Sequence, residues 1–218
     1  MLLPIYLLLQ KRQVLSFFKE HAGNFEKDIN TSLLNSALNN VVILAEILLD
    51  RGADITTKDE NGYTALHLAV KNDFKEMVKW LLDRGADIEQ ITDDSEQTAV
   101  HIAAKNGCME VLELLLERGG NVNARDKSNK TPLHEAAAGG HLWVAQLLVK
   151  HGGDLEAISE GKTPADIAKE CNCINLAKWL KWKMEIVQTN TEATVSRKEK
   201  IKEFVKRMIE PSVSNINH

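Results

Sequence analysis

The stretch TPLHEAA, running from Thr131 to Ala137, has four counterparts in the chain: TSLLNSA from Thr31, TALHLAV from Thr64, TAVHIAA from Thr98 and TPADIAK from Thr163. Their leading threonines stand 33, 34, 33 and 32 residues apart. Working outward, a glycine falls 21 residues after each of the first four threonines, at Gly52, Gly85, Gly119 and Gly152. Each lies in a similar phrase, RGADI from Arg51 and again from Arg84, RGGNV from Arg118 and HGGDL from His151. A period near this length signals one supersecondary unit stacked on copies of itself, because a single unit cannot bury its apolar face alone.

The spacing inside a block gives the unit its shape. Between Thr64 and Lys71 apolar residues recur at Leu66, Ala69 and Val70, which predicts a short helix with one buried stripe. Asp73 interrupts the pattern, and a second stripe follows at Met77, Val78, Leu81 and Leu82. The equivalents of Asp73 are Asn40, Gly107, Gly140 and Asn172, all residue types that tolerate a left-handed backbone, so each predicts a turn closing the first helix. The block-end glycines close the second helix by the same reasoning, and a polar stretch such as Thr56 to Gly62 leads to the next threonine. The expected unit is helix, turn, helix, extended loop.

These blocks resemble ankyrin repeats, whose T-P-L-H-x-A signature is complete at Thr131 to Ala136 and has one change at Thr64 to Ala69. The resemblance implies an all-α solenoid of stacked helix-turn-helix units with hairpin-like loops. It covers Thr31 to about Lys183, divided here as repeats 31–63, 64–97, 98–130, 131–162 and 163–184. Two blocks depart from the pattern. Leu34 replaces the histidine of His67, His101 and His134 in the first, while the fifth has Asp166 there and Met184 in place of the closing glycine. Departures of this kind suit terminal caps, which show one polar face to water.

Composition narrows the function. The repeat body, Thr31 to Met184, holds 17 Lys plus Arg against 23 Asp plus Glu, a net charge of −6, and each flank is about +1. A nucleic-acid binder carries a basic face, so an acidic body argues against DNA or RNA as partner. Three cysteines cannot all pair internally and fit a reducing compartment, the cytoplasm, with the nucleus or a host-cell cytosol as other destinations. Cys171 and Cys173 lack a further Cys or His at zinc spacing and read as small residues at helix ends. One imidazole per repeat is a structural rather than a catalytic pattern: each of His67, His101 and His134 follows a threonine by three residues and can hold the helix start by hydrogen bonding. The family resemblance implies the same role. No Ser/His/Asp grouping, phosphate loop or carboxylate pair stands apart from the repeat, so no catalytic residue, cofactor or metal is assigned.

Two flanks lie outside the period. Residues 1–30 contain an apolar run, Leu2 to Leu9, too short to span a membrane and followed rather than preceded by Lys11 and Arg12. Val14, Leu15, Phe17 and Phe18 continue an apolar face, and Leu7 to Glu20 reads as the second helix of a degraded repeat capping the first block. On the other side, 185–195 reads as a linker and 196–210 as an amphipathic helix, followed by a tail at 211–218. Ser196 and Glu199 have capping-box spacing there, Ile201, Phe204, Val205, Met208 and Ile209 share a face, and Arg197, Lys198, Lys202, Lys206 and Arg207 lie opposite. That helix either folds back or meets a partner or an anionic membrane surface.

Function is therefore expected at residues that break the repeat. The resemblance implies that partners bind the loop tips and the concave face, and the tip positions differ between blocks: Glu60, Asn61 and Tyr63; Asp94, Ser95 and Gln97; Lys127, Ser128 and Lys130. Lys71 and Lys105, near the ends of first helices, extend this surface. Asp93, Asp94 and Glu96 form an acidic patch beside a basic one at Arg125, Lys127 and Lys130. Trp143 stands where sister blocks have Glu76, Glu110 and Asn175 and is expected on the outer face as a second contact. Trp80 and Trp179 occupy an equivalent packing position. The expected activity is non-catalytic binding of another protein by a monomer acting as adaptor, scaffold or inhibitor. The alternatives are a targeting or regulatory subunit of an enzyme complex, or a secreted effector of an intracellular bacterium acting on a host protein. Deleting Met1 to Lys19 is expected to lower the melting temperature or cause aggregation, and an unchanged thermal melt would remove the cap assignment.

Overall fold

A computed structural model describes residues 29–189 and Lys202. The expected N-terminal cap and, Lys202 apart, the amphipathic helix at 196–210 lie outside the described residues. The chain divides into two units, Met1–Ala177 and Lys178–His218. In the first, helices come in pairs: α1 (Ile29–Leu38) with α2 (Val42–Asp50), α3 (Ala65–Lys71) with α4 (Lys75–Asp83), α5 (Ala99–Asn106) with α6 (Met109–Glu117), and α7 (Pro132–Gly139) with α8 (Leu142–Lys150). A ninth helix, α9 (Pro164–Glu170), is followed by helical residues from 174. The described secondary structure is helical apart from isolated antiparallel bridges at Lys58–Thr64 and Ser159–Lys162, an all-α fold as expected.

The turns obey the residue types at their centres. Asn40, Asp73, Gly107, Gly140 and Asn172 all have positive φ, between 57° and 75°. Every expected left-handed position between the paired helices is left-handed, since Gly lacks the Cβ clash and Asn or Asp can compensate it with local hydrogen bonding. In the fifth block Met184 stands where the others have glycine, and the helix does not stop: residues 174–189 are helical throughout. The first five residues of the expected linker are therefore helical, because nothing at that point breaks a helix.

The helices form two layers. The first helices pack in sequence, α1 on α3, α3 on α5, α5 on α7 and α7 on α9, and the second helices α2, α4, α6 and α8 do likewise. First helices are buried along almost their whole length, as at Ala65 to Val70, Ala99 to Ala104 and Pro132 to Ala137, because neighbours enclose them on several sides. Second helices bury only a stripe, Met77, Val78 and Leu81 in α4, or Val144, Ala145, Leu147 and Leu148 in α8. Alanine is frequent in the first layer, where helices meet a neighbour on each side and larger side chains would hold them apart.

Leu66 and Leu133 are fully buried. Replacing either by Ala is expected to cost about 2 to 5 kcal/mol in chemical denaturation. Glu60→Ala and Lys127→Ala, at exposed tips, are expected to change stability by less than about 0.5 kcal/mol.

Candidate interaction surface

The loops between repeats are short hairpins, the first three each built around one side chain. In the first, the Asp59 carboxylate accepts the backbone N–H groups of Asn61 and Tyr63, both at 2.9 Å, while its own N–H donates to the Tyr63 carbonyl at 2.9 Å. Asp126 repeats this with Ser128 at 2.9 Å and Lys130 at 2.8 Å. The second hairpin is one residue longer, and Thr92 closes it: its N–H donates to the Gln97 carbonyl at 3.1 Å and its Oγ1 accepts the Gln97 N–H at 3.1 Å. Asp93, which the spacing equates with Asp59 and Asp126, is thereby released and pairs with Lys58 Nζ at 2.6 Å. The last hairpin has only Glu160 and Gly161 between its bridged residues, both at positive φ, the backbone of a type I′ turn.

Histidines lock these hairpins to the helices. His67 Nδ1 accepts the Thr64 N–H at 3.1 Å and lies 3.0 Å from Thr64 Oγ1, and its Nε2 lies 2.9 Å from the Gln90 carbonyl. A carbonyl only accepts, so Nε2 carries the proton and Nδ1 is the acceptor, the neutral ring in a single tautomer. His101 makes the same set with Thr98 and the Lys130 carbonyl at 3.0 Å, and His134 with Thr131 and the Lys162 carbonyl at 3.3 Å. Each imidazole therefore caps its own helix and grips the following loop. At the fifth block Asp166 Oδ2 accepts the Thr163 N–H at 3.1 Å and the hydroxyl at 2.7 Å. A carboxylate reproduces the cap but has no N–H to offer onward.

The tips form a continuous row. The Lys127 N–H donates to the Ser95 carbonyl at 3.1 Å, its Nζ reaches the Asp94 carbonyl at 3.4 Å, and Ser159 Oγ donates to the Ser128 carbonyl at 2.7 Å. Lys58 Nζ also donates to the Ile91 carbonyl at 2.9 Å. Gly62 is buried against Asp93, whose backbone nitrogen stands where a Cβ would be, so only glycine permits this approach between the first two hairpins. Glu60, Asn61, Asp94, Lys127 and Ser128 are exposed at the crest, with Ser95 half-buried; Lys71 and Lys105 are exposed at the ends of α3 and α5.

Three expected contact residues are placed differently. Gln97 is buried, and its side-chain amide donates to Glu135 Oε1 at 3.4 Å; Lys130 Nζ lies 3.9 Å from the same carboxylate oxygen. Gln97 and Lys130 thus surround a buried Glu135 in α7, which stands where three of the sister helices have Leu68, Ile102 and Ile167 and the first has Asn35. A buried carboxylate needs polar partners, and these two side chains turn inward to supply them. That substitution of Glu for an aliphatic residue was the available signal. Tyr63 is half-buried, its ring edge-on to His67 at 6.1 Å, with Lys71 Nζ 5.1 Å from its centroid. The expected basic patch is also partly occupied, since Arg125 donates to the Asn129 and Ile158 carbonyls, both at 3.0 Å. Trp143 is 71% exposed on α8. Trp80 is half-buried under Arg84, whose guanidinium lies 5.0 Å from its ring and also pairs with Glu46 at 3.5 Å. Cys108 is buried, and burial pushes its thiol up to about 11, making it a poor nucleophile. Among the described residues no group of three or more His, Cys, Asp or Glu is arranged to hold a metal.

The family model for ankyrin repeats in three copies matches residues 6–92 and 101–190, and a model for many copies matches 75–116. The chain belongs to the ankyrin-repeat family. Among curated proteins, this ankyrin chain is 56% identical over 45 residues to an L-asparaginase of Dirofilaria immitis, a match covering 21% of the chain and 8% of that protein. It is 33% identical over 73 residues to the human ankyrin repeat and SOCS box protein 6, covering 33% of the chain and 17% of the relative. It is 35% identical over 51 residues to the mouse protein phosphatase 1 regulatory subunit 27, covering 23% of the chain and 33% of the relative. The ankyrin chain therefore spans a third or less of the length of these relatives. Its ankyrin repeats mark it as a protein-interaction module.

The histidine geometry predicts acid sensitivity. A second proton would place an N–H at Nδ1 against the threonine N–H, and burial opposes the charge. Desolvation accordingly lowers His67 from 6.5 to about 4, and lowers His101 and His134 in the same direction. Between the folded and unfolded values the unfolded chain binds more protons, so stability is complete above about pH 6.5 and falls as the pH drops toward about 4. His67 alone is expected to lose about 2 kcal/mol by pH 5. Denaturant titrations at pH 7.5 and 5 should show this loss, and a His67→Gln variant with an undiminished pH dependence would refute the assignment.

Proposed function

We propose that the chain is a non-catalytic adaptor or inhibitor that grips a partner protein along its hairpin crest. The observation that carries this is the crest itself. Adjacent tips are tied to one another by Lys127, Lys58 and Ser159, so exposed Glu60, Asn61, Asp94, Lys127 and Ser128 are held in a fixed row beside Lys71 and Lys105. Preorganised side chains lose little entropy on binding. The scaffold beneath is invariant in plan while the crest differs from repeat to repeat, which allows one fold to carry a particular recognition pattern. Mixed charge along the row favours a partner of complementary, alternating charge, with electrostatics contributing to specificity and association rate.

A second reading is a regulatory or targeting subunit of an enzyme complex. The likeness to a protein named as a phosphatase regulatory subunit supports it, and the two readings share the same binding surface. Affinity capture with the full chain and with an E60A/D94A/K127A variant, followed by mass spectrometry, tests both. The expected outcome is that proteins enriched by the wild type drop at least about ten-fold with the variant while the melting temperature is unchanged. Equal enrichment by both proteins would remove the crest from the binding surface. An enzyme among the variant-sensitive captures would select the regulatory reading.

A further inference from the structure

The second-helix layer carries a surface that the hairpin crest does not use. On α6, Glu110, Glu113 and Glu117 are all exposed and fall at i, i+3 and i+7, one line along the helix, and Met109 to Glu117 contains no Lys or Arg. Among the described residues none of the three glutamates forms an ion pair with a cation; the nearest bridge on this side joins Arg118 to Asp83 at 2.9 Å. Asp73, on the corresponding turn of the preceding repeat, adds to the field: burial first, then the negative charge of Glu110, raise its carboxyl above the ordinary range. On the adjacent α8, Trp143 is 71% exposed at the position equivalent to Glu110, and Met109 at the start of α6 is 36% exposed. Lys79 on α4 and Lys150 on α8 flank the line.

We propose that this face of α6 and α8 docks a basic amphipathic helix of a partner protein, with Trp143 and Met109 meeting its apolar side and the glutamate line meeting its lysines or arginines. The match is one of spacing as well as sign. Successive carboxylates at i, i+3 and i+7 advance about 4.5 and 6 Å along the axis, the rise at which basic residues recur on one side of a helix. A flexible or extended basic segment has no such register. Trp143 supplies a large amphipathic contact area, and tryptophan is the side chain most enriched at energetic centres of interfaces. A tryptophan exposed to this degree, where the two preceding repeats place Glu76 and Glu110, has no packing role in the repeat.

The probe is a synthetic 18-residue helical peptide with lysines at i, i+3 or i+4 and i+7 beside a leucine stripe, titrated into the full chain and followed by titration calorimetry, which reads every variant alike, and in the wild type also by the Trp143 indole NH resonance, assigned by its loss in W143F. The expected result is saturable movement of that resonance. Binding should weaken at least ten-fold in W143E and in E110K/E113K, and should weaken with added salt. It should be unchanged in E60K/D94K, a variant that alters the crest alone and so separates this proposal from the function proposed above. Circular dichroism melts check that each variant folds. Absence of movement at millimolar peptide, equal binding by W143E, or loss of binding in E60K/D94K would overturn the proposal. So would a concentration-dependent doubling of mass for the full chain alone that W143E abolishes, since the occupant would then be a second copy.

Discussion

The stack depends on a neutral imidazole that bonds in two directions. In His67, His101 and His134 one ring nitrogen accepts from the threonine that starts the same helix, and the other donates to a carbonyl of the following loop. Helix start, hairpin position and contact between repeats are thereby coupled through one buried side chain. No other neutral residue of this size offers an acceptor and a donor on opposite edges of a rigid ring. Asp166 reproduces the inward half of this arrangement, a carboxylate having no N–H to donate onward, and it occurs in the last of the threonine blocks.

Above this layer the hairpins adjust individually. Asp59 and Asp126 each close a loop by accepting two backbone N–H groups, Thr92 closes a loop lengthened by one residue, and Ser159 to Lys162 is a two-residue turn. Length variation of one residue in either direction is absorbed locally because the threonine and histidine below are held in place. The surface can therefore vary without disturbing the layers of helices. The same separation explains why side chains such as Gln97 and Lys130, which sit in variable positions, can be recruited inward when a nearby core position becomes polar.

The two faces of the molecule differ in kind. At the crest, charges are largely engaged by neighbouring loops: Lys58 by Asp93, Arg125 by two carbonyls, Lys127 by its neighbour's backbone. On the outer helices, exposed carboxylates of α6 line up beside an exposed tryptophan. A surface whose polar groups are already tied together is rigid, while one with unpaired charge beside apolar area gains more from being covered.

Local pattern along the chain was enough to specify the fold and the places where each helix turns. The threonine period, the left-handed residues from Asn40 to Asn172 and the buried Leu66 and Leu133 were all legible, because local backbone preference and apolar spacing act within a single repeat. The run of the final helix past Met184 was not legible in the repeat period, because the period marks a boundary there while no helix-breaking residue stands at it. Which tip residues remain free was decided only by tertiary structure. Gln97 meets Glu135 across 38 residues, and Asp93 meets Lys58 across 35, so both were diverted by partners from neighbouring repeats. Periodicity reports what every repeat shares; side chains that reach between repeats are chosen by the distances that stacking creates.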